Sequence, residues 1–169
     1  CRCTGYRPIR EATHQVAGQA GDDSFRAALA TASAPPAADL DYSAGDQRFV
    51  APASLPALFA ALEAHPGAPV VQGGTDYSLG ITKRFEAPPL LISLEQLEVL
   101  RSFEDHGTHW WLGAGLRLAD LERAARGVLP PLERMLRYFG ARQIKHRGTV
   151  GGNLANASPI GDLAPVLIA

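Results

Sequence analysis

The sequence predicts a mixed domain of the α/β or α+β class, with helices crossing over between short strands. Two observations carry that expectation. Short apolar runs such as Pro69-Val70-Val71-Gln72 and Leu90-Leu91-Ile92-Ser93 have the length of buried strands. They alternate with stretches such as 131–139, where Leu132, Met135, Leu136 and Phe139 fall on one helical stripe. No internal repeat is visible.

Taken in order, the elements follow from local chemistry. Proline is well tolerated in a first helical turn, so a short helix is expected from Pro8 to Ala17. Residues 18–47 are rich in Ala, Gly, Pro and Asp and read as a linker holding at most a brief helix over 24–30. A domain then begins at Arg48 with the strand candidate Arg48-Phe49-Val50-Ala51-Pro52. Ser54 can cap a helix with Pro56 in its first turn, placing Leu55, Leu58, Phe59 and Leu62 on one face. Pro66-Gly67 ends it. The strand at 69–72 is broken by Gly73-Gly74, and Thr75-Asp76 opens a second helix. After the strand over 90–93, Val99 to Phe103 and His109 to Gly113 form a hairpin around Asp105-His106-Gly107-Thr108. Helices over 117–126 and 131–139 follow.

Composition narrows the function. Of the 169 residues, 46% are hydrophobic and 20% charged, an ordinary soluble globular balance. The net charge of −1 argues against nonspecific nucleic-acid binding, which needs a basic surplus on the binding face. No apolar run has the length of a membrane span, and no signal-peptide pattern is seen. The chain starts at Cys1 and stops within the apolar run Leu163 to Ala169, so it is expected to be a middle section of something longer.

Three segments carry possible chemistry. Cys1 and Cys3, in CRCTGY, are too close for an unstrained disulfide. They suit either metal or iron–sulfur ligation, or a role as two free thiols. The other two segments are glycine-rich: Gln72-Gly73-Gly74-Thr75-Asp76, and Gly148-Thr149-Val150-Gly151-Gly152-Asn153. Glycine admits positive φ and close approach, so successive amides can converge into an anion-binding nest. Thr75 and Thr149 add hydroxyls, Asn153 an amide, and Asp162 an acceptor for ligand hydroxyls. Two such loops can hold a diphosphate between them. Each alone is better explained as a tight turn, and neither is a dinucleotide or phosphate-loop fingerprint.

The remaining features have plainer readings. The basic run Arg142-Gln143-Ile144-Lys145-His146-Arg147 attracts anions or is a solvated face. Phe139 stacks on a planar ring or belongs to its apolar stripe. At least one of Trp110 and Trp111 belongs to the core. His106 and His109 lie beside Glu104 and Asp105, where the hairpin turn explains the polarity better than a metal does. No nucleophile–base pair is evident, so hydrolytic catalysis has no support and no catalytic residue is assigned.

CRCTGYRPI, VVQGGTDYSLGITK and GARQIKHRGTVGGNLANASPIGDLAP, in this order, resemble the molybdenum hydroxylase family, in particular the small flavin and iron–sulfur subunits of bacterial xanthine dehydrogenases. The resemblance implies an α+β fold: the N-terminal part of an FAD-binding domain of the vanillyl-alcohol-oxidase (PCMH) type over 48–169. The end of a helical [2Fe–2S] domain would precede it over 1–17, joined by the linker 18–47. Cys1 and Cys3 would be cluster ligands. Val70, Val71, Gln72, Gly73, Gly74, Thr75, Asp76 and Tyr77 would wrap one side of the FAD diphosphate, and Thr149, Val150, Gly151, Gly152 and Asn153 the other. Phe139 would lie against the cofactor and Asp162 would hydrogen-bond to it.

The resemblance further implies a cytoplasmic electron-transfer subunit in purine catabolism. A partner large subunit would carry the molybdenum cofactor and the purine, and two [2Fe–2S] clusters would link it to FAD and then NAD. Three alternatives stand beside this one: an aldehyde or N-heterocycle hydroxylase, a non-catalytic nucleotide-binding module, and a nucleic-acid binder using residues 142–147.

Overall fold

The sheet that positions the candidate site is mixed, its strands lying side by side in the order 40–44, 47–51, 90–93 and 70–71. The computed structural model describes residues 6–19, 24–33, 36–156 and 161–169. They divide into two units, one up to Pro36 and one from Ala37 to Ala169. In the first, α1 (Arg7–Ala17) has Pro8 in its opening turn and an Arg7–Glu11 pair at 2.8 Å one turn apart. The second helix, α2 (Ser24–Thr31), returns its Thr31 hydroxyl to the Ala28 carbonyl at 3.0 Å. Neither helix buries a residue.

The second unit opens with a hairpin where the composition suggests only linker. β1 (Leu40–Ala44) pairs antiparallel with β2 (Gln47–Ala51), Tyr42 opposite Phe49. Every residue of β1 is exposed. Leu40, Tyr42 and Ala44 alternate with Asp41 and Ser43, but none of them is buried, so the strand rests on pairing with its partner. Gly45 takes φ 57° in the turn. Across the pair, the Arg48 guanidinium grips Asp41 through Nε–Oδ1 at 2.8 Å and Nη2–Oδ2 at 2.6 Å.

From β2 the chain crosses over twice. The helix α3 (Leu55–Ala64) leads to β3 (Val70–Val71), and α4 (Ser78–Arg84) leads to β4 (Leu90–Ser93). β4 lies between β2 and β3, parallel to both. Ser54 caps α3 by accepting the Ala57 N–H at 3.3 Å. Leu58, Ile92 and Leu97 form a small core flanked by Leu55, Leu62 and Leu100. Phe59, expected on that face, is 61% exposed. The helix expected from Thr75 starts only at Ser78, leaving 75–77 as a turn.

A 3₁₀ turn over Glu98–Arg101 replaces the first part of the expected strand. Behind it, β5 (Phe103–Asp105) and β6 (Trp110–Leu112) form the hairpin, with Gly107 at φ 78° in its turn. Trp110 packs edge-on to Phe103 at 5.2 Å and against the core, whereas Trp111 is exposed.

The main core is helical. α5 (Leu118–Ala125), α6 (Pro130–Tyr138) and α9 (Leu163–Ile168) bring together Leu118, Leu121, Leu132, Leu136 and Leu163, with Leu116 and Val150. Each fully buried leucine contributes about 1.5–3 kcal/mol relative to an exposed one. The expected stripe on α6 is present: Leu132 and Leu136 are wholly buried, and Met135 and Phe139 pack beside them. Two short helices, α7 (Arg142–Lys145) and α8 (Val150–Ala155), complete the unit. No described helix is long and apolar enough to cross a membrane.

Candidate functional site

Both glycine-rich segments border one cavity of about 730 Å³, within the range of small-molecule and cofactor sites. The first segment reaches it from the end of β3. Gly73 and Gly74 take φ 70° and 72°, a left-handed pair that side chains would disfavour. They turn the chain so that Thr75, Asp76 and Tyr77 form a cavity wall before α4 begins. The backbone N–H groups of these three residues meet no protein acceptor among the described residues. They form the free donor set that an anionic ligand needs.

The second segment works differently. Its sequence suggests another amide nest, but it is the capped start of α8. Val150 N–H donates to Leu116 O at 2.9 Å and Gly151 N–H to Ala114 O at 2.7 Å. Gly152 N–H donates to the capping Thr149 hydroxyl at 3.1 Å. With its donors committed to the 114–116 backbone and to its own cap, the segment offers surface instead of free amides. Gly151 lets the helix start pack against Ala114, where a Cβ would clash, and Gly151, Gly152 and Asn153 line the cavity.

The two segments also touch. Gly73 lies against the backbone of Arg147, so close that a Cβ at Gly73 would overlap the Arg147 carbonyl. Glu95, just beyond β4, ties them a second time. Its Oε1 accepts Gly73 N–H at 2.9 Å and Arg147 Nη2 at 2.8 Å. Its Oε2 accepts Arg101 Nη2 at 2.9 Å. Partial burial pushes the Glu95 carboxyl up, but the Gly73 amide, Arg147 and Arg101 outweigh it and hold it below the usual carboxylate range.

Of the residues singled out from sequence, Val70, Val71, Gln72, Gly74, Thr75, Asp76, Tyr77, Phe139, Thr149, Gly151, Gly152, Asn153 and Asp162 line the cavity. Two do not. Gly73 turns away toward Glu95 and Arg147, and Val150 is buried in the core at 5% exposure. Cys1 and Cys3 lie outside the described residues. Leu79, Ala114, Tyr138, Ile144 and Asn156 also line the cavity without having been singled out. Tyr138 carried a signal, an aromatic beside Phe139 at the end of α6, whereas the others reach the cavity only through tertiary packing.

The basic run 142–147 is partly neutralised. Lys145 Nζ pairs with Glu122 at 2.7 Å and donates to Leu136 O at 3.0 Å, and Arg147 serves Glu95. At the β5–β6 turn, His106 stacks on His109 at 5.0 Å and meets Glu104 at 3.2 Å. Among the described residues, no group of three or more metal-ligating side chains exists.

Residues 43–169 match the family model described as the FAD binding domain in molybdopterin dehydrogenase. The chain belongs to this family. Its FAD-binding domain is similar to xanthine dehydrogenase of Emericella nidulans, 32% identical over 134 residues, covering 73% of this chain and 10% of that protein. Nicotinate hydroxylase of the same organism is 26% identical, covering 77% of this chain and 11% of its own length. Among solved structures, carbon monoxide dehydrogenase of Hydrogenophaga pseudoflava superposes with a TM-score of 0.62 at 27% identity, over 68% of this chain and 41% of that one. The chain thus spans about a tenth of the length of these two curated relatives. The mixed α+β architecture is that of the xanthine and carbon monoxide dehydrogenase flavin domain, consistent with a partial PCMH-type fold.

The site chemistry fits FAD. Gln72 Nε2 and Asn153 Oδ1, both on cavity-lining side chains, are buried without a hydrogen-bond partner among the described residues. Beside them are the free amides of the 75–77 turn and the cavity-lining backbone of Gly151 and Gly152. Phe139 and Tyr138 add aromatic surface at the end of α6.

Proposed function

We propose that this domain holds the FAD of a molybdenum hydroxylase of the xanthine dehydrogenase type. It would serve hypoxanthine and xanthine oxidation, taking electrons that leave a molybdenum site on a partner large subunit by way of iron–sulfur clusters and passing them to NAD. FAD supplies the step between one-electron carriers and two-electron hydride transfer. The chain supplies placement. The 75–77 amides would donate to the diphosphate, Gly152 would leave room for it, Phe139 would lie against the flavin, and Asp162 would accept from a cofactor hydroxyl. Cys1 and Cys3 are proposed as two ligands of a [2Fe–2S] cluster.

The observation that carries this reading is the convergence of both glycine-rich segments on one cavity, in a domain whose family binds FAD. It is tested on the intact protein by denaturing it and identifying the released flavin by mass. FAD is expected at about one per chain; a flavin-free protein after reconstitution with FAD would sink the reading. Gly152→Val should abolish retention, because Gly152 lines the cavity and a Cβ there would stand 2.9 Å from the hydroxyl of Thr149, which lines it too. Cys3→Ser should remove one cluster's electron paramagnetic resonance signal and spare the flavin.

A second reading, hydroxylation of an aldehyde or N-heterocycle, is favoured by the likeness to nicotinate hydroxylase. Turnover of the purified holoenzyme with purine, nicotinate and aldehyde substrates separates the two.

A further inference from the structure

Glu95 does not line the cavity, yet it joins the two chain segments that do. It sits where β4 ends, anchored by its own backbone: Glu95 N–H donates to the Ser93 hydroxyl at 3.3 Å and Glu95 O accepts Arg101 Nη2 at 2.5 Å. Arg101 is held in turn by Glu98 at 2.8 Å. The carboxylate is thus delivered by a fixed strand end and faces Arg101 and Arg147 together with the Gly73 amide. Its side chain is 30% exposed, so these charge-assisted bonds are only partly screened.

The geometry of Gly73 gives the tie a consequence. Its N–H on Glu95 fixes the direction in which the left-handed Gly73-Gly74 turn leaves β3, and hence where the Thr75, Asp76 and Tyr77 amides point. The same oxygen fixes Arg147, whose backbone abuts Gly73 and precedes the capped start of α8. We propose that Glu95 is a positioning residue for the cofactor cradle, setting the spacing between the 75–77 turn and the 148–152 segment before FAD arrives. The inference rests on the FAD reading above. Preorganisation of this kind appears as affinity, because binding no longer has to order the two walls.

The test is FAD titration of the intact apoprotein, followed by flavin fluorescence quenching and by the visible circular dichroism of bound flavin. Glu95→Gln keeps an acceptor for Gly73 N–H and loses the ion pairs; Kd is expected to rise about tenfold. Glu95→Leu loses both, with a rise of about a hundredfold. Arg147→Met leaves the Arg101 pair in place and should raise Kd by less than Glu95→Gln, and the double variant Glu95→Gln/Arg147→Met should fall short of the sum of the two singles, as a shared interaction requires. The altered flavin dichroism should be largely restored in Glu95→Gln relative to Glu95→Leu. If Glu95→Leu fails to fold, Glu95→Gln and Arg147→Met carry the test. Wild-type or tighter FAD affinity in Glu95→Gln and Arg147→Met overturns the proposal. So does a lowered apoprotein melting point with unchanged Kd and dichroism, which marks a structural role only. A wild-type protein that binds no FAD overturns the FAD reading itself, and this inference with it.

Discussion

Gly73 and Arg147 meet backbone to backbone, with the Arg147 carbonyl occupying the space a Cβ at Gly73 would need. The contact explains glycine at this position more fully than ligand approach does, since Gly73 also has φ 70° and faces away from the cavity. Gly73→Ala therefore meets left-handed strain and a backbone clash together, with an expected cost of about 2–4 kcal/mol. Gly107 provides the control. It has φ 78°, and a methyl group there would find none of the described residues within 4 Å, so Gly107→Ala meets strain alone and should cost about 1 kcal/mol. Urea unfolding midpoints of the two variants check the difference; equal shifts would remove the contact from the account.

Acid should loosen the same junction. The Glu95 carboxyl lies below its ordinary value of 4.5, so its stabilising contribution is fully present above that value. It is lost as pH falls through the lower, folded-state value. Wild-type stability should exceed that of Glu95→Gln at neutral pH, and the gap should close on acidification from about pH 5 downward. Unfolding free energies of both proteins at pH 7 and at about pH 3 measure it. A gap that widens in acid contradicts the assigned sign.

Lys145 is legible in the sequence only as part of a basic run, and the fold uses it otherwise. It is 11% exposed, clasped by Glu122 from α5 and by the Leu136 carbonyl of α6. Removing it strands a half-buried carboxylate, so Lys145→Met should cost about 1–3 kcal/mol. Glu122→Gln in the same background should recover part of the loss, because it removes the stranded charge. A double-mutant cycle in thermal unfolding reads the coupling.

How far the sequence can be read depends on the kind of signal. The α6 stripe is legible because Leu132, Met135 and Leu136 repeat at helical spacing, and the Ser54 cap because capping is local chemistry. The Val70 and Ile92 strands are legible as apolar runs between breakers. β1 is hidden by its setting: Leu40, Tyr42 and Ala44 alternate with Asp41 and Ser43, but they lie in a stretch rich in Ala, Gly, Pro and Asp, and the strand buries none of them. At the site, glycines mark both cavity walls, but Glu95 is invisible: its partners Gly73, Arg101 and Arg147 converge only in three dimensions. The expectation of two symmetrical amide nests fails for a related reason. No local pattern reveals that Ala114 and Leu116 supply carbonyls to the 150–151 amides.

That asymmetry makes adjacent glycines behave differently. Both lie in α8, where glycine-to-alanine replacement gains roughly 1 kcal/mol of helix propensity. At Gly151 the gain is overwhelmed, because a Cβ would stand 2.8 Å from both the Cβ and the carbonyl oxygen of Ala114, and the backbone there is locked to the 114–116 segment by hydrogen bonds. Gly151→Ala is expected to lose about 1–3 kcal/mol of stability, as overpacking against fixed neighbours does. At Gly152 the only close neighbour among the described residues is the Thr149 hydroxyl at 2.9 Å, a side chain that can turn at the cost of its cap. Cap loss of about 1 kcal/mol then offsets the propensity gain, and Gly152→Ala should leave stability nearly unchanged. Its effect should fall on the cavity instead, as weaker FAD binding with a wild-type unfolding midpoint. Measuring both quantities for both variants settles it: if Gly152→Ala destabilises as much as Gly151→Ala, the two glycines share one packing role and the division between cavity wall and backbone contact is wrong.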